Sequence, residues 1–352
     1  MKDPGAVPFS DCPIPISDTE EILLGHGSGG KLTARLIESV ILPALANPAL
    51  DPLDDQAVVT IDGTRLAFTT DSYVVTPLFF PGGDIGDLAV NGTVNDLAVG
   101  GAKPLFLSLS FILEEGLAIS VLERVLASVR RAAARAGVSI VTGDTKVVDR
   151  GKGDQLFINT AGIGSLRPGI ELSSRRVRPG DAILLSGPVG DHGMAILSMR
   201  EGLELEGQIQ SDTAPLHELT AAMLDAYPNV HAMRDPTRGG VAATLVEIAS
   251  RQRLGIEIDE AAIPVRDPVR GACEILGLDP LLVANEGKLV AFVPEEGATE
   301  VLRAMRAHPL GAEAVRIGRV TEGHPGFVVV RTLIGGERIL DLPFGESLPR
   351  IC

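Results

Sequence analysis

Four aspartates stand next to short apolar runs, and their placement sets the first chemical expectation: Asp54-Asp55 before AVVTI, Asp71 after LAFTT and Asp144 after SIVTG. Side chains at strand ends converge on crevices where ligands bind. Carboxylates that meet there repel one another unless a hard cation holds them. An oxygen-only donor set suits Mg²⁺ carrying a nucleotide phosphate. Any one strand-end Asp can equally be a cap or turn former, so it is the set that points to a metal.

The stretch 84–99 adds to this. Asp84, Asp87, Asn91 and Asn95 recur at helical spacing, which places one polar stripe beside apolar Ile85, Leu88 and Ala89. Asp84 is placed to cap the helix, and Asp87 suits its first turn. Asn has no propensity reason to occupy a helix interior; the stripe is either a solvated face or a set of ligands. Asp96 lies near the C-terminal end, where the helix dipole disfavours a carboxylate and a cation would offset the cost.

Other segments offer anion contacts. GHGSGGK (25–31) and GPVGDHG (187–193) are Gly-rich, but neither fits a P-loop or a GxGxxG fingerprint. Arg234-Asp235-Pro236-Thr237-Arg238-Gly239-Gly240 precedes the apolar helix VAATLVEIA; its glycines admit an anion to the helix N-terminus, and Arg238 can add a bidentate phosphate contact. Asn285-Glu286-Gly287 puts a further carboxylate before KLVAFV, where a turn Glu is the plainer alternative. The last residue, Cys352, is useless for core packing. The neighbouring α-carboxylate raises rather than lowers a thiol pKa, which suits covalent carriage of a group better than fast attack.

The elements that must position these residues read as mixed α and β. Strands are expected over 56–61 and 65–70, joined by a hairpin turn at Asp62-Gly63. Further strands are expected over 105–113, 139–142 and 155–163, with helices over 84–99 and 120–136. The turn-rich run from Leu166 to Gly180 marks a domain boundary. Beyond it come strands over 181–186, 289–293, 314–320 and 326–331, and helices over 214–226 and 240–251. The first fifteen residues, with four prolines, read as a mobile arm, and DLPFGESLPRIC as a flexible tail.

The 352 residues suit two domains. A hydrophobic share of 45% against 22% charged residues excludes general disorder. With 3% aromatics and no Trp, the cores must be aliphatic. A net charge of −15 repels phosphate backbones and argues against nucleic acid as a main partner. Three scattered cysteines build neither a disulfide framework nor a thiolate zinc site. No apolar run approaches the ~20 residues that span a bilayer, and the N-terminus lacks a signal peptide. A reduced cytoplasmic protein is expected.

The order of these motifs resembles the ATP-binding domain of the AIR-synthetase (PurM-like) superfamily: Asp54-Asp55, Thr70-Asp71-Ser72, Asn95-Asp96-Leu97-Ala98 with Gly100-Gly101-Ala102-Lys103-Pro104, and Gly143-Asp144-Thr145-Lys146-Val147. Arg234 to Gly240 and Asn285-Glu286-Gly287 look like its second domain. The terminal Pro349-Arg350-Ile351-Cys352, with GHGSGGK, is similar to the HypE family of hydrogenase maturation factors. The resemblance implies an α+β, two-domain PurM-like architecture with mixed sheets packed against helices. It divides the chain into an arm and Gly-rich segment (1–45), an ATP-binding domain (46–167), a C-terminal domain (168–338) and a tail (339–352).

It also implies an ATP-dependent carbamoyl dehydratase. A HypF-type carbamoyltransferase loads a carboxamide onto Cys352, ATP drives its dehydration to an S-cyanide, and a HypC–HypD complex receives the cyanide for the [NiFe]-hydrogenase iron. ATP and Mg²⁺ are the implied cofactors and a homodimer the implied assembly. Asp54, Asp55, Asp71 and Asp96 become metal ligands. Asp71, Asp96, Asn95, Gly143, Asp144 and Arg238 become ATP contacts. Lys146 contacts phosphate, Glu286 is the candidate base and Cys352 the carrier. A kinase-like sister of the superfamily, or a non-catalytic adaptor, remains the competing expectation.

Overall fold

The computed structural model describes residues 21–202 and 209–343. The arm expected over the first fifteen residues and the carrier Cys352 lie outside the described residues. The first half runs α1 (Lys31–Leu36), α2 (Leu42–Leu45), β1 (Ala57–Ile61), β2 (Thr64–Tyr73), β3 (Phe79–Phe80), β4 (Gly83–Asp84), α3 (Ile85–Val99), β5 (Ala102–Glu114), α4 (Ile119–Ala136), β6 (Ser139–Val148) and β7 (Leu156–Leu166). Its five-stranded sheet has the order β1-β2-β7-β5-β6. Only β5 and β6 pair in parallel, through the crossover helix α4.

The second half runs β8 (Ala182–Leu185), α5 (Asp191–Glu201), α6 (His217–Ala226), β9 (Ala232–Arg234), α7 (Gly240–Gln252), β10 (Gly255–Asp259), α8 (Asp267–Leu276), β11 (Val290–Val293), α9 (Glu295–Ala307), β12 (Val315–Thr321), β13 (Val328–Arg331) and β14 (Glu337–Leu340). Its seven strands are ordered β14-β13-β10-β12-β8-β11-β9. Its core gathers the aliphatic Ile183, Leu185, Val241, Ile248 and Val330 around the single aromatic Phe292, in line with a chain of few aromatics.

The helix α3 is the spine of the molecule. Asp84 caps it, accepting from the N–H groups of Gly86 and Asp87 at 2.8 and 3.2 Å. Every residue of α3 except Asp96 is buried, so the polar stripe is not a solvated face. Asp87 pairs with Arg135 of α4 at 2.9 Å. Asn91 and Asn95 reach the second half, where Asn91 Nδ2 donates to Thr213 Oγ1 at 3.1 Å.

Two strands run further than the apolar patterning predicts. β2 continues to Tyr73 and β6 to Val148, so Asp71 and Asp144 are mid-strand residues, not strand ends. The expected turn at 187–193 runs into α5, which opens at Asp191. α8 and α9 were not expected, and neither were the short strands β9, β10 and β14. A strand of three to five residues is too short to show alternation.

Candidate nucleotide and metal site

Along β2, Ala67, Thr69 and Tyr73 are buried while Phe68, Thr70 and Ser72 are exposed. The period of two therefore turns Asp71 towards α3. Tyr73 donates to Asp71 Oδ2 at 3.1 Å, and Thr93 of α3 donates to the same oxygen at 3.3 Å. One α3 turn beyond Thr93, Asp96 accepts from Thr69 Oγ1 at 2.7 Å. The β9–α7 junction approaches from the other half and brings Asp235. Ligand oxygens of Asp55, Asp96 and Asp235 lie within 4.8 Å of one another.

Electrostatics show what a cation would relieve in this arrangement. Burial pushes the Asp96 carboxyl well above the usual carboxylate range, and Asp71, Asp235 and Asp55 push the same way. Asp235 is raised to about 6 by burial and by Asp71. Asp55 is also raised by burial, although Arg234 Nε lies 2.8 Å from its Oδ1. That contact is an ion pair without hydrogen-bond alignment, and Asp55 Oδ2 is buried with no hydrogen-bond partner. Burial works against the Arg234 charge, yet Asp55 and Glu247 more than offset it and keep it protonated. An orphaned carboxylate oxygen beside two more carboxylates fits a hard divalent ion such as Mg²⁺. Thiolate or imidazole donors are absent from the cluster.

Glu286 borders the cluster. It is 3% exposed, and burial, Asp235, Asp212 and Asp71 all raise its pKa well above the usual range. Its N–H donates to Asp212 Oδ1 at 3.0 Å, and Asp212 pairs with half-buried Lys288 at 3.1 Å. The start of α7 holds Gly239 and Gly240, both at positive φ; a Cβ on Gly239 would meet Ala243 at 2.7 Å and one on Gly240 the Leu281 carbonyl at 2.5 Å, so both glycines are required by packing.

Several residues expected at the site are placed elsewhere. Asp54 turns away from the cluster and accepts from Ser173 Oγ at 2.7 Å and Ser174 N–H at 3.0 Å; it fastens the linker between the halves. Asn95 has no amide atom left for a nucleotide. Its Nδ2 donates to the Ala214 and Glu286 carbonyls at 3.1 and 3.2 Å, and its Oδ1 accepts from Leu216 N–H at 2.8 Å. Gly143, Asp144 and Lys146 lie on edge strand β6, exposed. Among the described residues, Lys146 and Asp144 pair with each other, at 3.5 Å, and do not join the cluster within one chain. Arg238 donates to the Gly27 carbonyl at 3.0 Å. Asp235 is the member of the cluster that no sequence signal singled out. A strand-end rule would have found it, but its strand, β9, has three residues and no readable period.

The AIR synthase related N-terminal domain matches residues 53–166, and the C-terminal domain of the same family matches 178–331. The carbamoyl dehydratase HypE of Azotobacter vinelandii is 55% identical over 327 residues, covering 93% of this chain and 96% of its own length. This chain belongs to the HypE family of carbamoyl dehydratases. Two solved structures from that family share the fold. One is a HypE–HypF complex, with TM-score 0.83 and 46% identity, covering 88% of this chain and 99% of its own. The other is HypE in complex with ATP, with TM-score 0.80 and 50% identity, covering 94% of this chain and all of its own. The family fold is therefore the two-domain, mixed-sheet architecture that the motifs imply. Among the described residues, no helix is long and apolar enough to cross a membrane.

Proposed function

We propose that this chain is an ATP-dependent carbamoyl dehydratase that converts an S-carboxamide on Cys352 into an S-cyanide for the iron of [NiFe]-hydrogenases. The observation that carries the reading is the cluster of half-buried Asp55 and Asp96 with buried Asp235, and Asp71 and Glu286 against it. Relatives named carbamoyl dehydratase, and a related structure holding ATP, support it.

The carboxamide oxygen is a poor leaving group and phosphate a good one. Transfer of the γ-phosphoryl group to that oxygen, with departure of ADP, prepares the C–O bond to break. Two protons then leave nitrogen, phosphate leaves with the oxygen, and S–C≡N remains. Asp55, Asp71, Asp96 and Asp235 would hold Mg²⁺, which when bound supplies charge neutralisation for phosphoryl transfer. Glu286 stands where it can take a nitrogen proton; burial makes its carboxylate a stronger base than an exposed Glu. The α7 N-terminus would face the phosphates, and Arg238 would join it by giving up its bond to the Gly27 carbonyl. The carrier must be a free thiol, which agrees with a reducing cytoplasm.

Lys146 enters through a second copy. Phe68, Phe106, Ile112 and Ile163 are more than a third exposed on strands of the first sheet, an apolar surface suited to a homodimer. A partner subunit packed there would present its own exposed Asp144 and Lys146 to this chain's nucleotide. A HypF-type carbamoyltransferase loads the tail, in line with the related HypE–HypF complex, and a HypC–HypD complex takes the cyanide.

Intact-protein mass spectrometry tests this reading. After loading by the carbamoyltransferase, ATP should remove the mass of one water from the chain, and Cys352→Ala should take up no group. A loaded chain that keeps its mass with ATP present, or a Cys352→Ala chain that also loses water, would refute it.

A further inference from the structure

The Gly-rich segment 25–31 has no place in that mechanism, yet it is tightly built into the structure. Lys31 opens α1, and its N–H, a group with no partner inside the helix, donates to the Pro343 carbonyl at 3.1 Å. A cation at a helix N-terminus stands at the unfavourable end of the dipole. Here Lys31 Nζ lies 2.5 Å from Asp341 Oδ2, and the Asp341 carboxylate offsets that cost. Gly30 fits because it has no side chain: a Cβ there would sit 2.6 Å from the Pro343 carbonyl oxygen. On the other side Gly29, at φ +77, would drive a Cβ to 2.9 Å from the Arg238 carbonyl. Arg238 closes the arrangement through the Gly27 carbonyl at 3.0 Å. The segment thus touches residues 341–343 on one side and the phosphate-facing start of α7 on the other.

We propose that Gly30 and Lys31 moor the root of the C-terminal tail, making Lys31 a positioning residue for delivery of Cys352. This rests on the carrier role of Cys352. From Pro343 to Cys352 there are nine residues, a reach of about 30 Å when extended. Without the mooring the last fixed point is the end of β14 at Leu340, and the tether lengthens to twelve residues. Chain-length scaling alone lowers the effective concentration of the thiol about 1.5-fold. The larger effect is loss of a fixed exit direction beside α7.

The test uses the full chain in two formats: conversion of its own loaded Cys352 in a single turnover, and conversion of a synthetic peptide of residues 344–352, S-carboxamidated on its cysteine, by the Cys352→Ala chain. With Lys31→Ala, own-tail conversion should slow about threefold to tenfold, while the peptide is converted at the unchanged rate. Pairing Lys31→Asp with Asp341→Lys should recover most of the own-tail rate. An own-tail rate equal to that of the unsubstituted chain, or equal slowing of the peptide, overturns the mooring. Hydrogen exchange separates this from failure of the dehydratase reading. If neither tail nor peptide is ever converted, that reading fails, yet the Lys31 amide should still lose protection in Gly30→Val; unchanged protection there also overturns the mooring.

Discussion

Two regions of the first sheet carry acidic motifs of the same family signature, and they are built in opposite ways. On β2, Asp71 faces inwards, bonded to Tyr73 and Thr93, beside carboxylates that burial makes reluctant to ionise. Three strands across, about 14 Å away at ordinary strand spacing, β6 holds Asp144 and Lys146 in the open. The inner region gathers more carboxylates than the Arg234 guanidinium alone can neutralise. The outer region has a cation at the surface, paired with Asp144. Each supplies what the other lacks, and a second copy of the chain is the simplest way to bring them together.

The sharpest way to break that comparison is complementation. Asp96→Asn and Lys146→Ala should each lower ATP-driven dehydration about a hundredfold or more, with unfolding midpoints unchanged for the exposed Lys146. Mixed and re-equilibrated, the two inactive proteins should regain about a quarter of the unsubstituted rate, because half the dimers are mixed and each holds one intact site. No recovery would place Lys146 and the cluster in the same chain's site, and a Lys146→Ala protein that keeps its rate would show that Lys146 has no role.

Asn95 sharpens the comparison from the structural side. It was read as a nucleotide contact, and the geometry makes it a clamp between the halves. Asn95→Ala should cost about 2–3 kcal/mol in urea unfolding, since it strands the partners of two buried hydrogen bonds and one part-buried one. A loss of ATP affinity with unchanged stability would restore the original reading.

Asp191 gives the smallest effect and serves as a control, a buried carboxylate away from the cluster. Burial raises it to about 6, against the partial relief of Arg266 at 3.2 Å. Between about pH 4 and 6 the folded chain holds a proton that the unfolded chain has lost. Its contribution is therefore full below about pH 4 and is lost as pH rises through 6, about 1–2 kcal/mol after allowing for solvent near the half-exposed Arg266. Comparing melting temperatures across this range, Asp191→Asn should remove that fall; an identical pH profile in both proteins would contradict it.

Much of the site was legible because its chemistry is unusual for its position. Asp96 near a helix C-terminus and Asn residues inside a helix stood out against propensity, and all of them lie at the meeting of the halves. What they do was less legible. The Asn stripe is spent on Thr213, Ala214, Glu286 and Leu216, partners about 120 to 190 residues away that no local pattern can reveal. Asp54 and Asp55 are adjacent and look equivalent, yet only Asp55 reaches the cluster, because the chain direction at the strand entry points Asp54 to Ser173. Asp235 was missed because a three-residue strand leaves no period to read.

The central claim is that the gathered carboxylates hold a divalent ion together with ATP. Calorimetric titration of ATP into the full chain, with and without Mg²⁺, and into Asp235→Asn, tests it most directly. The account requires tight binding only with Mg²⁺ and a loss of about a hundredfold in Asp235→Asn. Binding that ignores both the ion and the substitution would contradict it.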